Sequence, residues 1–398
     1  MTEPPDISRR RLLSLGGAAS TAGLVGPLLS PAEAWAAPGS DKVPRRKLGK
    51  TGQDVPILLL GGGAGFDRKF DPRIVEALRY GVDYVDAARS YAGGTCEAHA
   101  ANTLDRIKAK DKVWITTKSK DHSPAGFEQN VNESLKQLRR GFVNLYFLHQ
   151  VNDPSPLDDK EVFKVAEKLK KAGKIKYFGF SCHDGNVAEL LEKAAQRPAI
   201  DVVMFRYNFR QYGDKKLNQA IDAAHKAKIG LIAMKTQGSE AGIRDAWKKF
   251  EKTGKWNKHQ AVLKAVWEDE RISAAVSAMD NLTSLRQNIA AALNKEKLGV
   301  FDRESIRRYA DATRAYACDG CDHICGAALP APIKVGTAMR CVMYHDVYEQ
   351  PDKARAVWNE LPASARGISS VDFTPANHAC PNGVDVVSHM RRAQEILT

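Results

Sequence analysis

No stretch of this chain supplies the ~20 consecutive apolar residues that a membrane-spanning helix requires. The nearest candidate, Leu13 to Leu29, is short, weakly apolar and broken by several glycines and by Pro27. Acidic residues are under-represented, with 47 Asp and Glu against 60 Lys and Arg, a net charge of +13. Such an excess draws anionic partners, yet no nucleic-acid-binding motif accompanies it. We therefore expect no nucleic-acid partner and read the surplus as solvated helix faces such as Lys164, Lys168, Lys170 and Lys171. Cysteine is sparse, and four of the seven, Cys318, Cys321, Cys325 and Cys380, gather near the C-terminus. A charged fraction of 27% and a hydrophobic fraction of 43% exclude a disordered or membrane-embedded chain.

The first residues carry an export pattern. Arg9, Arg10 and Arg11 precede the Gly/Ala-rich run, and Ala32 to Ala36 then offer small residues for cleavage. Basic, apolar and small regions in that order make residues 1–37 a signal peptide, and the adjacent arginines point to the twin-arginine export machinery as a partner. The expected location is periplasmic or extracellular, with no membrane span after cleavage. Removal takes away three arginines and three acids (Glu3, Asp6 and Glu33), so the mature charge is unchanged.

After Pro38 to Ser40, the segment Arg46 to Val55 holds Gly49 and Gly52 as turn residues and reads as a hairpin. Strand-like runs follow at Pro56–Leu60, Val82–Asp86, Val113–Lys118, Val143–His149, Tyr177–Ser181, Val202–Phe205, Leu231–Met234 and Ile272–Val276. Between them lie helical faces such as Phe127, Val131, Leu135 and Leu138, or Val187, Leu190, Leu191 and Ala194. Regular alternation of this kind predicts an α/β fold, a parallel (β/α)8 TIM barrel over residues 43–298. An eight-stranded barrel needs ~250 residues, so residues 299–398 form a further, mainly helical, cysteine-containing extension.

Four polar residues stand at or just beyond strand ends: Asp86, Tyr91, Lys118 and His149. In a parallel barrel all such ends share one face. A cation beside a tyrosine stabilises its phenolate and makes it a better proton donor. With Gly93, Gly94 and Glu97 after the tyrosine, this set resembles the aldo-keto reductase family from about Val43 to Ala292. The resemblance implies Tyr91 as proton donor, Lys118 as the cation beside it, Asp86 as the partner of Lys118, and His149 orienting a carbonyl while hydride arrives from NADP(H) or NAD(H). It also implies that the hairpin plugs the barrel bottom.

Cofactor contacts implied by the same resemblance are Gly61, opening the loop Gly61 to Gly63, then Ser181, Met234, Lys235, Gln287 and Asn288. Departures are Cys182 where Asn is common, Met204 for Gln, Met234 for an aromatic ring, and Ala278, Met279 and Ser284 for the residues that clasp a 2'-phosphate. Without those cations a preference for NADPH loses its usual basis; Arg286 stands one helical step away.

The spacing Cys318-x2-Cys321-x3-Cys325, with Cys380-Pro381 far downstream, resembles a ferredoxin-type ligand run and a branch of the family that carries such a C-terminal region. The four cysteines are expected to hold a [4Fe-4S] cluster; zinc, with or without His323, and disulfides are the alternatives. Cys341 is a spare. The segment between Cys325 and Cys380 reads as helical, and a purely structural role for the tail is to cover the barrel opening.

The expected function is an exported oxidoreductase that reduces a carbonyl or oxidises an alcohol on a small molecule, with a possible electron-transfer partner. The alternatives are a catalytically silent cell-envelope barrel and an oxidoreductase fed with electrons by an iron-sulfur cluster.

Overall fold

The structure, a computed structural model, describes residues 41–183, 186–236, 252–253, 256–314, 317–347 and 349–398. The expected export segment, residues 1–37, lies outside the described residues.

Eight strands close into a barrel: β3 (Leu58–Gly61), β4 (Tyr84–Asp86), β5 (Trp114–Ser119), β6 (Val143–Leu148), β7 (Ile175–Cys182), β8 (Val202–Arg206), β9 (Gly230–Met234) and β12 (Ala274–Ser277). Their order is β12-β3-β4-β5-β6-β7-β8-β9, with every neighbouring pair parallel. Alternate side chains of a strand face opposite sides. Leu59, Tyr84, Leu145, Phe147, Val202, Met204 and Ile232 fill the interior, while Leu58, Leu60, Val85, Tyr146 and Leu148 pack outward against the helices. Both faces are apolar, which is why the strands read as continuous hydrophobic runs.

The helices are started by short polar side chains. Asp71 accepts from the Arg73 N–H, Ser123 from the Gly126 N–H and Asp159 from the Glu161 N–H, each taking an otherwise unpaired amide. Pro72 and Pro124 begin two of these helices, where their missing N–H costs nothing.

The hairpin, β1 (Arg45–Lys47) and β2 (Asp54–Pro56), is antiparallel and inserts Leu48, fully buried, into the interior cluster. Leu48 lies against Gly230 at the N-terminal end of β9, where an added Cβ would meet it at 2.7 Å. The first barrel strand begins at Leu58 and not at Pro56, because Pro56 is engaged with Arg45 in the hairpin. The eighth begins at Ala274; Ile272 closes a turn onto the Asp269 carbonyl.

The short strands β10 (Lys252–Thr253) and β11 (Trp256–Asn257) precede the seventh barrel helix, Lys258–Glu268. The helix Val300–Ala312 packs on that side of the barrel, with Leu298, Ile306 and Tyr309 against Phe209, Trp256 and Val262. A separate core begins at Cys325 and joins Met339, Val342, Trp358, Phe373, Met390 and Leu397. It unites the helices Val335–Val342, Pro351–Asn359, Thr374–Ala379 and Val386–Leu397, with a single π turn at Met343–Val347.

Candidate active site

Asp86 ends β4 opposite Thr116, and Lys118, two residues further along β5, is on the same side of that strand as Thr116 and reaches Asp86 with its long side chain. The Lys118 ammonium donates to Asp86 Oδ1 at 2.6 Å, to Asp86 Oδ2 at 2.7 Å and to the Ala87 carbonyl at 2.8 Å. Both side chains are buried. A lysine carries three donors, so Lys118 has none left.

Tyr91 opens a tight turn, Tyr91–Gly94, in which Ala92 (φ 51°), Gly93 (φ 63°) and Gly94 (φ 86°) are left-handed. Glycine tolerates this conformation; Ala92 adopts it at a cost of about 1–2 kcal/mol. Glu97, fully buried on the following helix, ties the turn to β5 by accepting from Thr117 Oγ1 and pairing with Arg89. The Lys118 ammonium sits 4.8 Å from the centre of the Tyr91 ring. It meets the ring and not the hydroxyl: the expected ammonium–phenol oxygen hydrogen bond does not occur, because Asp86 and Ala87 take the protons. Burial, with Asp86, Cys96 and Tyr344 adding to it, holds the Tyr91 phenol well above its ordinary range.

His149 follows β6, its ring edge-on to Tyr91 at 5.6 Å. Its Nδ1 is buried without a partner. Burial, then the charges of Lys118, Lys120, His122 and Arg340, hold it well below the usual imidazole range, so the ring is neutral. His183, just after β7, lies 5.8 Å from His149, and neither of its ring nitrogens has a partner.

Asp86, Tyr91, His149 and His183 line one cavity of about 1540 Å³ at the C-terminal mouth of the barrel, whereas Lys118 is buried and does not line it. Gly61, Asp86, Tyr91, His149, Met204, Met234, Lys235 and Ser277 form its floor; Arg340, Tyr344, Lys353 and Glu360 of the extension form its roof. Two contacts bind roof to barrel directly above the site: Lys353 Nζ donates to the Gly63 carbonyl at 3.4 Å, and Lys120 pairs with Glu360.

The expected cofactor residues divide. Gly61, Met234 and Lys235 line the cavity. Ser181 lies beneath it, fully buried, its Oγ accepting from the Gln150 N–H at 3.2 Å. Asn288 is buried and donates to Ser277 Oγ at 3.2 Å, whereas Gln287 is exposed on the helix. Arg286 pairs with Glu76 at 2.7 Å and is not turned toward a 2'-phosphate. Met204 and Met234 thus give an apolar wall fit for a flat ring, and the cavity continues past Lys235 and Ser277, so a nicotinamide cofactor is accommodated in chemistry and room.

All seven cysteines are free thiols in this structure. Cys318, Cys321, Cys325 and Cys380 are close enough to feel one another's charge, and burial pushes Cys318 up to about 11 and Cys321 and Cys325 up to about 12. The Gly320 and Val384 N–H groups donate to Cys318 Sγ and Cys380 Sγ, each at 3.4 Å. Among the described residues, however, no three His, Cys, Asp or Glu side chains converge closely enough to hold a single metal ion.

Sequence reading missed His183, Tyr344, Arg340 and Lys353. The one available signal was Arg340 itself, a charge set among Ala338, Met339, Cys341 and Val342.

Residues 64–298 match the profile of the Aldo/keto reductase family. The chain is 29% identical over 172 residues to an aldo-keto reductase of Gibberella moniliformis, covering 41% of this chain and 50% of that one. It is 22% identical over 305 residues to L-galactose dehydrogenase of Arabidopsis thaliana, covering 67% and 92%. The chain spans about half the length of several of the curated relatives it matches. An aldo-keto reductase of Bacillus halodurans in its holo form shares the fold at a TM-score of 0.54 and 20% identity, over 67% of this chain and 96% of that chain.

Proposed function

We propose, from the premise that this chain belongs to the aldo/keto reductase family, that it reduces a carbonyl group or oxidises an alcohol in the cavity at the barrel mouth. The observation that carries this reading is the pairing of Tyr91 and His149, 5.6 Å apart, above the buried Lys118–Asp86 pair. A neutral imidazole and a neutral phenol on one wall suit a carbonyl oxygen, which takes a hydrogen bond from each. When bound, a nicotinamide cofactor supplies the hydride to the carbonyl carbon; Met204 and Met234 would flank its ring. Tyr91 Oη gives its proton to the oxygen as negative charge develops there. An alkoxide is more basic than a phenolate, so this transfer runs downhill even from a buried tyrosine, and water in the cavity reprotonates the phenolate. Ala278, Met279 and Ser284 in place of the clasping residues, with Arg286 paired to Glu76, support use of NADPH and NADH with little discrimination between them.

Tyr91→Phe is expected to lower turnover of simple aldehydes by at least 10²-fold, read from loss of nicotinamide absorbance, with cofactor binding measured by fluorescence quenching retained. Full activity in the variant would remove Tyr91 from the mechanism. No response to either cofactor would favour the second reading, a catalytically silent barrel, which draws its support from the missing ammonium–phenol contact.

Two finer readings complete the proposal. The chain is exported by the twin-arginine route, on the strength of Arg9 to Arg11 and the run behind them. Cys318, Cys321, Cys325 and Cys380 hold a [4Fe-4S] cluster. The support is the sequence spacing of the four cysteines and four thiols near enough to feel one another's charge, two of them accepting backbone N–H groups.

A further inference from the structure

The roof of the cavity is positively charged in a way that the reaction proposed above does not use. Arg340, near the end of the helix Val335–Val342, lines the cavity, and among the described residues its guanidinium makes one hydrogen bond, a long one to Thr337 Oγ1 at 3.4 Å. Among the described residues it has no carboxylate within ion-pair distance. Lys353 lines the same wall, its ammonium 4.5 Å from the centre of the Tyr344 ring, and also lacks a carboxylate there. The two cations are near enough that Arg340 adds to burial in pulling the Lys353 ammonium below its ordinary range. Arg340 likewise acts on His149 and His183, so its charge faces the reacting wall.

Of the carboxylates around the cavity, Asp322 is near enough to feel the charge of Arg340, though not within ion-pair distance, and others are committed elsewhere. Asp86 is held by Lys118, Glu360 by Lys120 and Asp352 by Arg355. Asp153 accepts from the Ser155 N–H, and Asp322 accepts from the Gly336 N–H at 2.6 Å. Two part-buried like charges held together with no carboxylate in ion-pair contact cost stability unless something anionic completes them.

The geometry points to an anion subsite: Arg340 and Lys353 hold a carboxylate or phosphate group carried by the carbonyl substrate, with its reactive carbon directed to Tyr91 and His149. This assignment rests on the reductase reading for the word substrate, but not for the binding of the anion. A planar guanidinium is matched to either oxyanion by paired N–H donors, and the lysine adds a point charge. The extension then acts as more than a cover, since it selects which small molecules remain over the reacting pair.

The test is equilibrium binding to the full chain by calorimetry, which needs no turnover. Two charged-against-neutral pairs serve as probes: 4-carboxybenzaldehyde against 4-methylbenzaldehyde, and glyceraldehyde 3-phosphate against glyceraldehyde. In the unmodified protein at least one charged probe should bind ten times or more tighter than its neutral counterpart, and the pair with the larger ratio names the oxyanion. Arg340→Gln should bring that ratio below about three, Lys353→Gln should reduce it, and Arg340→Lys should restore part of it. A ratio near one for both pairs in the unmodified protein, or a ratio unchanged in both glutamine variants, overturns the subsite. If the charged preference holds while no aldehyde is turned over with either nicotinamide, the reductase reading fails and the subsite stands.

Discussion

Lys118 spends its three protons on Asp86 and Ala87, which makes the pair a structural unit before it is anything else. Lys118→Met should destabilise the protein by about 3–5 kcal/mol in urea unfolding, since it strands a carboxylate in the core, and Asp86→Asn added to it should recover a good part of the loss. The imidazoles make a second prediction. His122, His149 and His183 are all held below the ordinary value by burial, whereas in the unfolded chain they titrate near ~6.5. Below that pH the unfolded state binds more protons, so their contribution to stability, complete above ~6.5, falls as the pH drops, by about 1.4 kcal/mol per unit for each fully withheld proton. Urea midpoints at pH 7.5, 6.5 and 5.5 should fall in that order, and His183→Asn should flatten the slope. Asp86, Tyr91, Lys118 and His149 were legible in the sequence because strand ends in a parallel barrel share a face whatever the loops do. Arg340 and Lys353 were not, since no periodicity records how a tail folds back across some two hundred residues. The contact between ammonium and phenol oxygen was expected and is missing, because counting donors requires knowing that the Ala87 carbonyl is also in reach.

Among the elements, β8 ends in an arginine that reaches into the cysteine loop. Arg206, buried, donates to the Cys318 carbonyl at 3.2 Å and pairs with Asp319. Arg206→Gln should speed hydrogen exchange across residues 317–325 and leave β3 to β6 protected, because it removes the charged tie and not the barrel pairing. Strand and helix periods exposed the barrel elements to within a few residues. Pro56 and Ile272, each two residues ahead of its strand, are claimed by a hairpin and a turn whose hydrogen bonds carry no hydrophobic pattern. The helix Val300–Ala312 sides with the barrel for a related reason: its apolar side fits Trp256 and Phe209, and sequence period alone does not name the surface that receives it.

Taken whole, the molecule is a barrel with a second core laid over its mouth, and the cysteine loop lies where the two meet. Anaerobic purification followed by metal analysis should find about four iron and four sulfide per chain, with spectroscopic loss on chelation or oxidation; zinc without iron would replace the cluster with another site. Length alone announced a second region, while its place over the reacting face had to be seen. Among the described residues, the contacts from roof to floor include an amine on a carbonyl and a solvent-facing ion pair, Lys120 with Glu360, and this has a practical meaning. Exposed pairs of this sort are worth ~0–1 kcal/mol and weaken in salt. The seam beside the Tyr91 turn is therefore expected to part more readily than the cysteine side, where a buried arginine makes the tie.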